Sequence, residues 1–294
     1  MPNLGAKRIS SLLLRALPLE HALTVEKRTV RFSNNIHRVG HMPHKDASSQ
    51  LTAPLAWTVL ILTVVQAVAV IIPLTLFGGE PNDDGVDLLI SPAGYAFAIW
   101  AVIYVLSAVT GFMFVRELDS STQCGKRLAV DLAIACGAAA LWLIVSAASI
   151  DWLPSILLTV MAIVLLDAAR IAALPVENPS STTTLVRITI GIYAGWATAA
   201  VFVNWASDIA RSGAADESSV GWQLVVLIIA ALVAVTVTYL YGSALPALPI
   251  TLAWALLAIA VNAWSTSTPI VITAVIGIVA VALAYWASTR RSSV

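Results

Sequence analysis

The stretch I-S-P-A-G-Y-A-F-A-I-W-A-V-I-Y, Ile90 to Tyr104, decides how this chain is read. It begins as a polar turn and ends as a membrane helix. Pro92 and Gly94 interrupt the backbone, so Ser91–Gly94 reads as a helix start. Tyr95, Phe97, Trp100 and Tyr104 follow in close succession. Trp100 and Tyr104 are four residues apart and share one helix face. An aromatic belt at the membrane–water boundary accounts for Tyr95 and Phe97. Trp100 and Tyr104 lie roughly 9 and 15 Å further along the axis than Gly94, by helical rise. That is too deep for a belt. They either pack against other helices or line a cavity.

Composition places the helix in a bilayer. The chain is 59 % hydrophobic and 11 % charged, with a mean hydropathy of +0.90. Soluble domains carry about 25 % charge. The apolar runs have the length of membrane helices rather than of barrel strands. Working outward, eight segments appear from Pro54 on. They are Pro54–Phe77, Tyr95–Val115, Leu128–Ile150, Trp152–Leu174, Val186–Ser207, Gly221–Tyr241, Leu245–Trp264 and Pro269–Trp286. Each has about the 20 residues a bilayer core needs. The expected architecture is therefore an all-α integral membrane protein, a bundle of about eight transmembrane helices.

Charge supports that count. With the N-terminus inside, Arg116, Lys126, Arg127, Arg170, Arg187, Arg290 and Arg291 all fall on the inner side, and only Arg211 falls outside. This is the asymmetry that the positive-inside rule describes. It implies cytoplasmic N- and C-termini, in the layout of a bacterial cytoplasmic membrane protein. Residues 1–50 are different in kind, holding eight basic residues and all four histidines. Three readings stay open there: a disordered cytoplasmic tail that touches anionic lipid, a targeting segment, or a start site at Met42. Trp152, Trp205, Trp222 and Trp264 mark the outer boundary, and Trp57 and Trp286 the inner one. Trp100, Trp142, Trp196 and Trp254 are left inside the membrane.

Several functions are disfavoured. Net charge is zero and no basic groove with interleaved aromatics occurs, so no nucleic-acid partner is expected. Cys124 and Cys136 lack paired-ligand spacing and read as reduced thiols, with no metal site. No histidine follows His44. A HExxH pair and a serine–histidine pair are thus both missing from the spans. Asp131 lies near Arg127 and Asp167 near Arg170, close to the inner face, where local pairing explains them. No mid-span charge suggests an ion relay. The chain reads as a non-enzyme with no required cofactor. Gln66, Asn204 and Asn262 are the amides within the spans. They either hold helices together or contact a ligand.

A second dense patch, G-I-Y-A-G-W-A-T-A-A-V-F-V-N-W, runs from Gly191 to Trp205. Gly191 and Gly195 form a small-xxx-small pair that lets another backbone come close. Tyr193 and Trp196 lie three apart on one face. Asn204 is just over two turns beyond Trp196, on roughly the same side. A face carrying phenol, indole and amide suits a flat, mostly apolar ligand with a few polar edges.

Together the two patches resemble the TspO/MBR family, the tryptophan-rich sensory proteins or translocator proteins. The family's second helix has a Pro-rich start, then Trp, then Tyr four later, as in Pro92, Trp100 and Tyr104. Its fifth helix has Tyr-x-x-Trp with Asn eight after the Trp, as in Tyr193, Trp196 and Asn204. Trp142 matches a third-helix Trp. The resemblance spans Pro54–Ser207, the family's five helices. It implies a division into a basic tail (1–50), a TspO-like five-helix bundle (51–210) and three further transmembrane helices (211–294). It also implies a receptor or carrier of a flat hydrophobic small molecule, a porphyrin, haem-like or sterol-like ligand, with a homodimer as a plausible assembly. The ligand-binding candidates are Trp100, Tyr104, Trp142, Tyr193, Trp196 and Asn204. Pro92, Gly94, Tyr95 and Phe97 form the helix-start motif. The acidic loop Phe77–Ile90 is the candidate lid. A small-solute transporter and a membrane enzyme acting on lipid or porphyrin are the rival readings.

Overall fold

The computed structural model describes residues 51–72, 86–117, 125–148 and 150–292. The basic tail with Met42, most of the candidate lid, and Cys124 lie outside the described residues. Among the described residues there are eight α-helices: α1 (Ala53–Ala69), α2 (Ile99–Arg116), α3 (Lys126–Ala147), α4 (Leu153–Ala172), α5 (Ser181–Arg211), α6 (Val220–Tyr241), α7 (Ala247–Asn262) and α8 (Thr268–Ser292). No strand occurs among the described residues. Six of the helical segments are long and apolar enough to cross a membrane; α1 and α7 are shorter apolar helices. The protein is an all-α, multi-pass membrane bundle, with one helix for each expected segment.

Boundaries differ most at α5, which extends the expected Val186–Ser207 at both ends to 31 residues. The Ser180 hydroxyl accepts a hydrogen bond from the Thr183 amide at 3.1 Å and starts the helix early. At the far end Arg211 pairs with Asp208 at 3.1 Å, one turn back. Polar, β-branched Ser181–Thr184 looks like loop in sequence, yet Thr182 is buried and donates to Glu117 Oε1 at 2.6 Å. The segment expected from Tyr95 opens with a 3₁₀ helix, Gly94–Ala98, and becomes α-helical only at Ile99.

Helix contacts close two rings that share α5. In the first, α1 packs on α2 and α3, α3 on α4, α4 on α5, and α5 back on α2. In the second, α5 packs on α6 and α7, and α8 packs on both. The glycine pair on α5 makes the second contact close. A Cβ on Gly195 would lie 2.9 Å from the Leu248 carbonyl oxygen and 2.9 Å from Thr251 Cβ. Small residues at such crossings gain dispersion contacts that a bilayer does not otherwise supply. Outward faces of α6 and α8 carry exposed Ile228, Ile229, Leu232, Ile276, Val279 and Leu283, the surface expected against lipid.

One end of the first ring is tied by charge. Asp167 pairs with Arg170 at 2.8 Å and, across helices, with Arg127 at 2.9 Å, while Arg127 also approaches Asp131 at 3.9 Å. Arg187 donates to the Ala172 and Leu174 carbonyls, both at 3.0 Å, and so satisfies the end of α4. At the opposite end, buried Asp208 accepts from the Ser155 hydroxyl. In the α5–α6 loop, the Ser218 amide and hydroxyl both donate to Asp216 and hold its carboxyl below the usual range.

Candidate functional site

Trp100 is the centre of the first ring. Its indole stacks on Tyr104 (centroids 5.8 Å, planes 26° apart) and on Trp142 (5.5 Å, 24°). It meets Tyr193 and Trp196 edge to face, at 6.1 and 6.4 Å. These offset and T-shaped arrangements are the ones aromatic quadrupoles favour. Helix geometry explains the convergence. Trp100 and Tyr104 lie one turn apart on α2, and Tyr193 and Trp196 one turn apart on α5. Trp142 comes in from α3. Its indole N–H donates to Asn204 Oδ1 at 3.4 Å, and the Asn204 amide N–H donates to the Ala200 carbonyl at 3.2 Å. All six candidate residues therefore stand in one connected cluster. The rings of α2, α3 and α5 pack on one another.

The cluster is mostly shut off from its surroundings. Tyr193 is 0 % and Trp196 2 % exposed; Tyr104 and Asn204 are half-buried. The Tyr193 hydroxyl donates to Gln66 Oε1 on α1 at 3.0 Å and lies 3.4 Å from the Ala135 carbonyl. Gln66 thus joins the site from the first helix, and both Gln66 and Asn204 bridge helices. Asn262 does not join them; it is exposed at the end of α7. The indole N–H of Trp196 is buried and has no acceptor. Cys136 is a free, buried thiol. Among the described residues no group of three His, Cys, Asp or Glu could hold a metal ion. What the cluster offers chemically is flat apolar surface, with two amides at its edges and two unused N–H donors, the Trp196 indole and the Gln66 amide.

The helix-start motif has a role its sequence does not announce. Tyr95 and Phe97 are expected as a boundary belt. Phe97 instead sets its edge against Trp196 at 5.7 Å, inside the cluster. Tyr95 is exposed, but its ring meets Trp254 of α7 at 5.3 Å and 75°. Pro92 and Gly94 flank Ala93, whose amide donates to the Ala258 carbonyl of α7 at 3.1 Å. The Trp254 indole donates to the Ala96 carbonyl at 3.4 Å. Upstream, the Ile90 amide donates to Gln223 Oε1 of α6 at 3.3 Å, and Leu88 and Ile90 are buried. The described part of the candidate lid, Val86–Ile90, is therefore held by the second ring; residues 77–85 lie outside the described ones. A strap from residue 86 to 98 thus passes from the second ring into the Trp100 cluster. Sequence reasoning missed Gln223 and did not link Trp254 to this strap. Their signals are weak: an amide in the first turns of α6, and a tryptophan at mid-span.

Residues 52–287 match the family described as TSPO-like protein, a stretch that takes in every helix from α1 to α7 and nearly all of α8. No curated protein and no solved structure gives a significant match. The family is in general one of receptor-like membrane proteins that bind or sense ligands. The eight-helix bundle, the Trp100 cluster and a match over most of the chain lead to one conclusion: this chain belongs to the TSPO-like family.

Proposed function

We propose that the Trp100-centred cluster binds a flat hydrophobic molecule with hydrogen-bond acceptors at its rim, a tetrapyrrole or sterol-like lipid, and that the protein senses or carries it within the bilayer. One observation carries this reading. The Trp196 indole N–H is buried at the edge of a ring stack with no acceptor. Leaving such a donor unmade costs about 1–3 kcal/mol, and a ligand acceptor would recover it. Tyr104, half-buried on the outer side of the stack, is the ring such a ligand would reach first. The strap places Phe97 against Trp196, so occupancy would be felt at α6 and α7. The basic residues gathered where α3, α4 and α5 meet support a cytoplasmic position for that end, and so cytoplasmic termini.

The test is titration of purified protein with protoporphyrin, read by the porphyrin absorbance band and by tryptophan quenching. Saturable binding is expected, weakened about tenfold in Trp196→Phe, by loss of one buried hydrogen bond. Trp100→Phe is expected to weaken it as well, by removing the central stacking surface. Linear, unsaturable quenching that is the same in both variants would reject the tetrapyrrole reading.

A further inference from the structure

The second ring contains a recess that the Trp100 cluster does not use. Thr198, Ala199, Phe202 and Val203 of α5 form one wall, and apolar residues of α6 and α7 form the others. Ile90 of the strap closes it on one side. The cavity itself measures about 30 Å³, and about 420 Å³ once its open mouth and the space beyond it are included. It exists because Ala199, Ala230, Ala234 and Ala255 stand where larger side chains would fill it. A narrow space of this kind does not admit a macrocycle.

Its polarity is specific. Every lining residue is apolar except Thr198, which is 4 % exposed and whose hydroxyl has no partner. Several helical threonines of the bundle hand their proton to the carbonyl four residues back. Thr159, Thr189 and Thr251 do so at 2.7, 2.9 and 2.9 Å. Thr198, like Thr238, has no partner, which leaves a donor at the wall of an apolar space. Water is a poor occupant, because an ordered buried water needs two to four polar partners. The bilayer around α5, α6 and α7 supplies apolar molecules instead. We propose that this recess is a second ligand site, taking a slender apolar molecule with one hydrogen-bond acceptor, such as a long-chain ketone or a keto-bearing isoprenoid.

A photoactivatable C14 ketone carrying a diazirine on its chain tests this with the full-length protein in lipid nanodiscs, with adducts mapped by mass spectrometry. Saturable labelling of the α5, α6 and α7 residues around the recess is expected. 2-Tetradecanone should compete roughly three- to tenfold better than n-tetradecane, the difference one hydrogen bond makes. Thr198→Val should keep the labelling and remove that preference. Ala255→Val, which adds only two carbons at the wall, should reduce labelling while helicity is kept. Labelling spread evenly over lipid-facing helices, or unchanged in Ala255→Val, would overturn the site. A ketone preference unchanged in Thr198→Val would overturn the role of the hydroxyl.

Discussion

α5 serves two rings with two unlike faces. Toward α2 and α3 it presents Tyr193, Trp196 and Asn204, large residues whose rings and amide are matched by Trp100, Trp142 and Gln66. Toward α7 it presents Gly191 and Gly195, and beside them the small residues that border the recess. The first face specifies its partners by what protrudes, through stacked rings and hydrogen bonds with defined geometry. The second does so by what is missing, through backbone approach and a void. One helix can therefore carry an aromatic cluster and an apolar recess without the two competing for side chains.

The largest expected effect breaks the second face. Gly195→Leu places a side chain where even a Cβ would sit 2.9 Å from a backbone oxygen. Backbone cannot give as a flexible side chain can, so a loss above about 3 kcal/mol is expected, at the upper end of overpacking costs. Denaturation in mixed micelles should show it as an earlier transition, with faster amide hydrogen exchange in α7. A stable variant with unchanged exchange in α7 would mean that α7 does not dock on this face.

Next comes the first face. Tyr193→Phe keeps the ring packing and removes the hydroxyl that Gln66 Oε1 accepts. Gln66 is 0 % exposed and its amide nitrogen already lacks a partner. A loss of about 1–3 kcal/mol is expected, the cost of a buried polar group left unmade. The double variant Tyr193→Phe with Gln66→Leu should recover part of it. If the double variant is no better than the single one, the bond is not what orders α1 against α5.

These contrasts also explain how much the sequence discloses. The eight helices are legible because a bilayer imposes length and apolarity on each, independent of partners. The Trp100 cluster is legible because bulky aromatics and amides at helical spacing are conspicuous, and a face of helix forces residues three and four apart together. The long α5 is not, because Ser180–Thr184 has loop composition and only the cap and the Thr182–Glu117 bond make it helical. The strap is not, because its anchors, Gln223, Trp254 and Ala258, lie more than 130 residues away and include a plain backbone carbonyl. The recess is not, because alanines in a membrane helix look alike whether they fill a crossing or leave a gap.

A smaller effect probes the link between the rings. Trp254→Phe keeps an aromatic ring near Tyr95 but removes the N–H that reaches the Ala96 carbonyl at 3.4 Å. That bond is long, so a loss of about 0.5–1 kcal/mol is expected. Its signature is local: faster amide hydrogen exchange from residue 86 to 98, with α3 and α4 unchanged. Equal acceleration throughout the bundle would show that the strap has no separate stability and that the two rings melt as one.

The smallest expected effect concerns the charges, which local pairing already explains in the sequence. Arg127 bridges Asp167 at 2.9 Å across two helices, yet its side chain is 69 % exposed. Asp167 keeps a second partner in Arg170 at 2.8 Å. In Arg127→Gln the carboxylate therefore retains a cation, and exposed pairs of this kind contribute less than about 1 kcal/mol. The change should shrink further at high salt, because solvent-facing charges are screened. A cycle of Arg127→Gln, Asp167→Asn and the double variant, unfolded at two salt concentrations, isolates the pair. A coupling above about 2 kcal/mol that ignores salt would place this cluster at membrane depth and make it part of the bundle's frame. A small, salt-sensitive coupling leaves that frame to the aromatic and glycine faces of α5, where uncharged groups fix the helices.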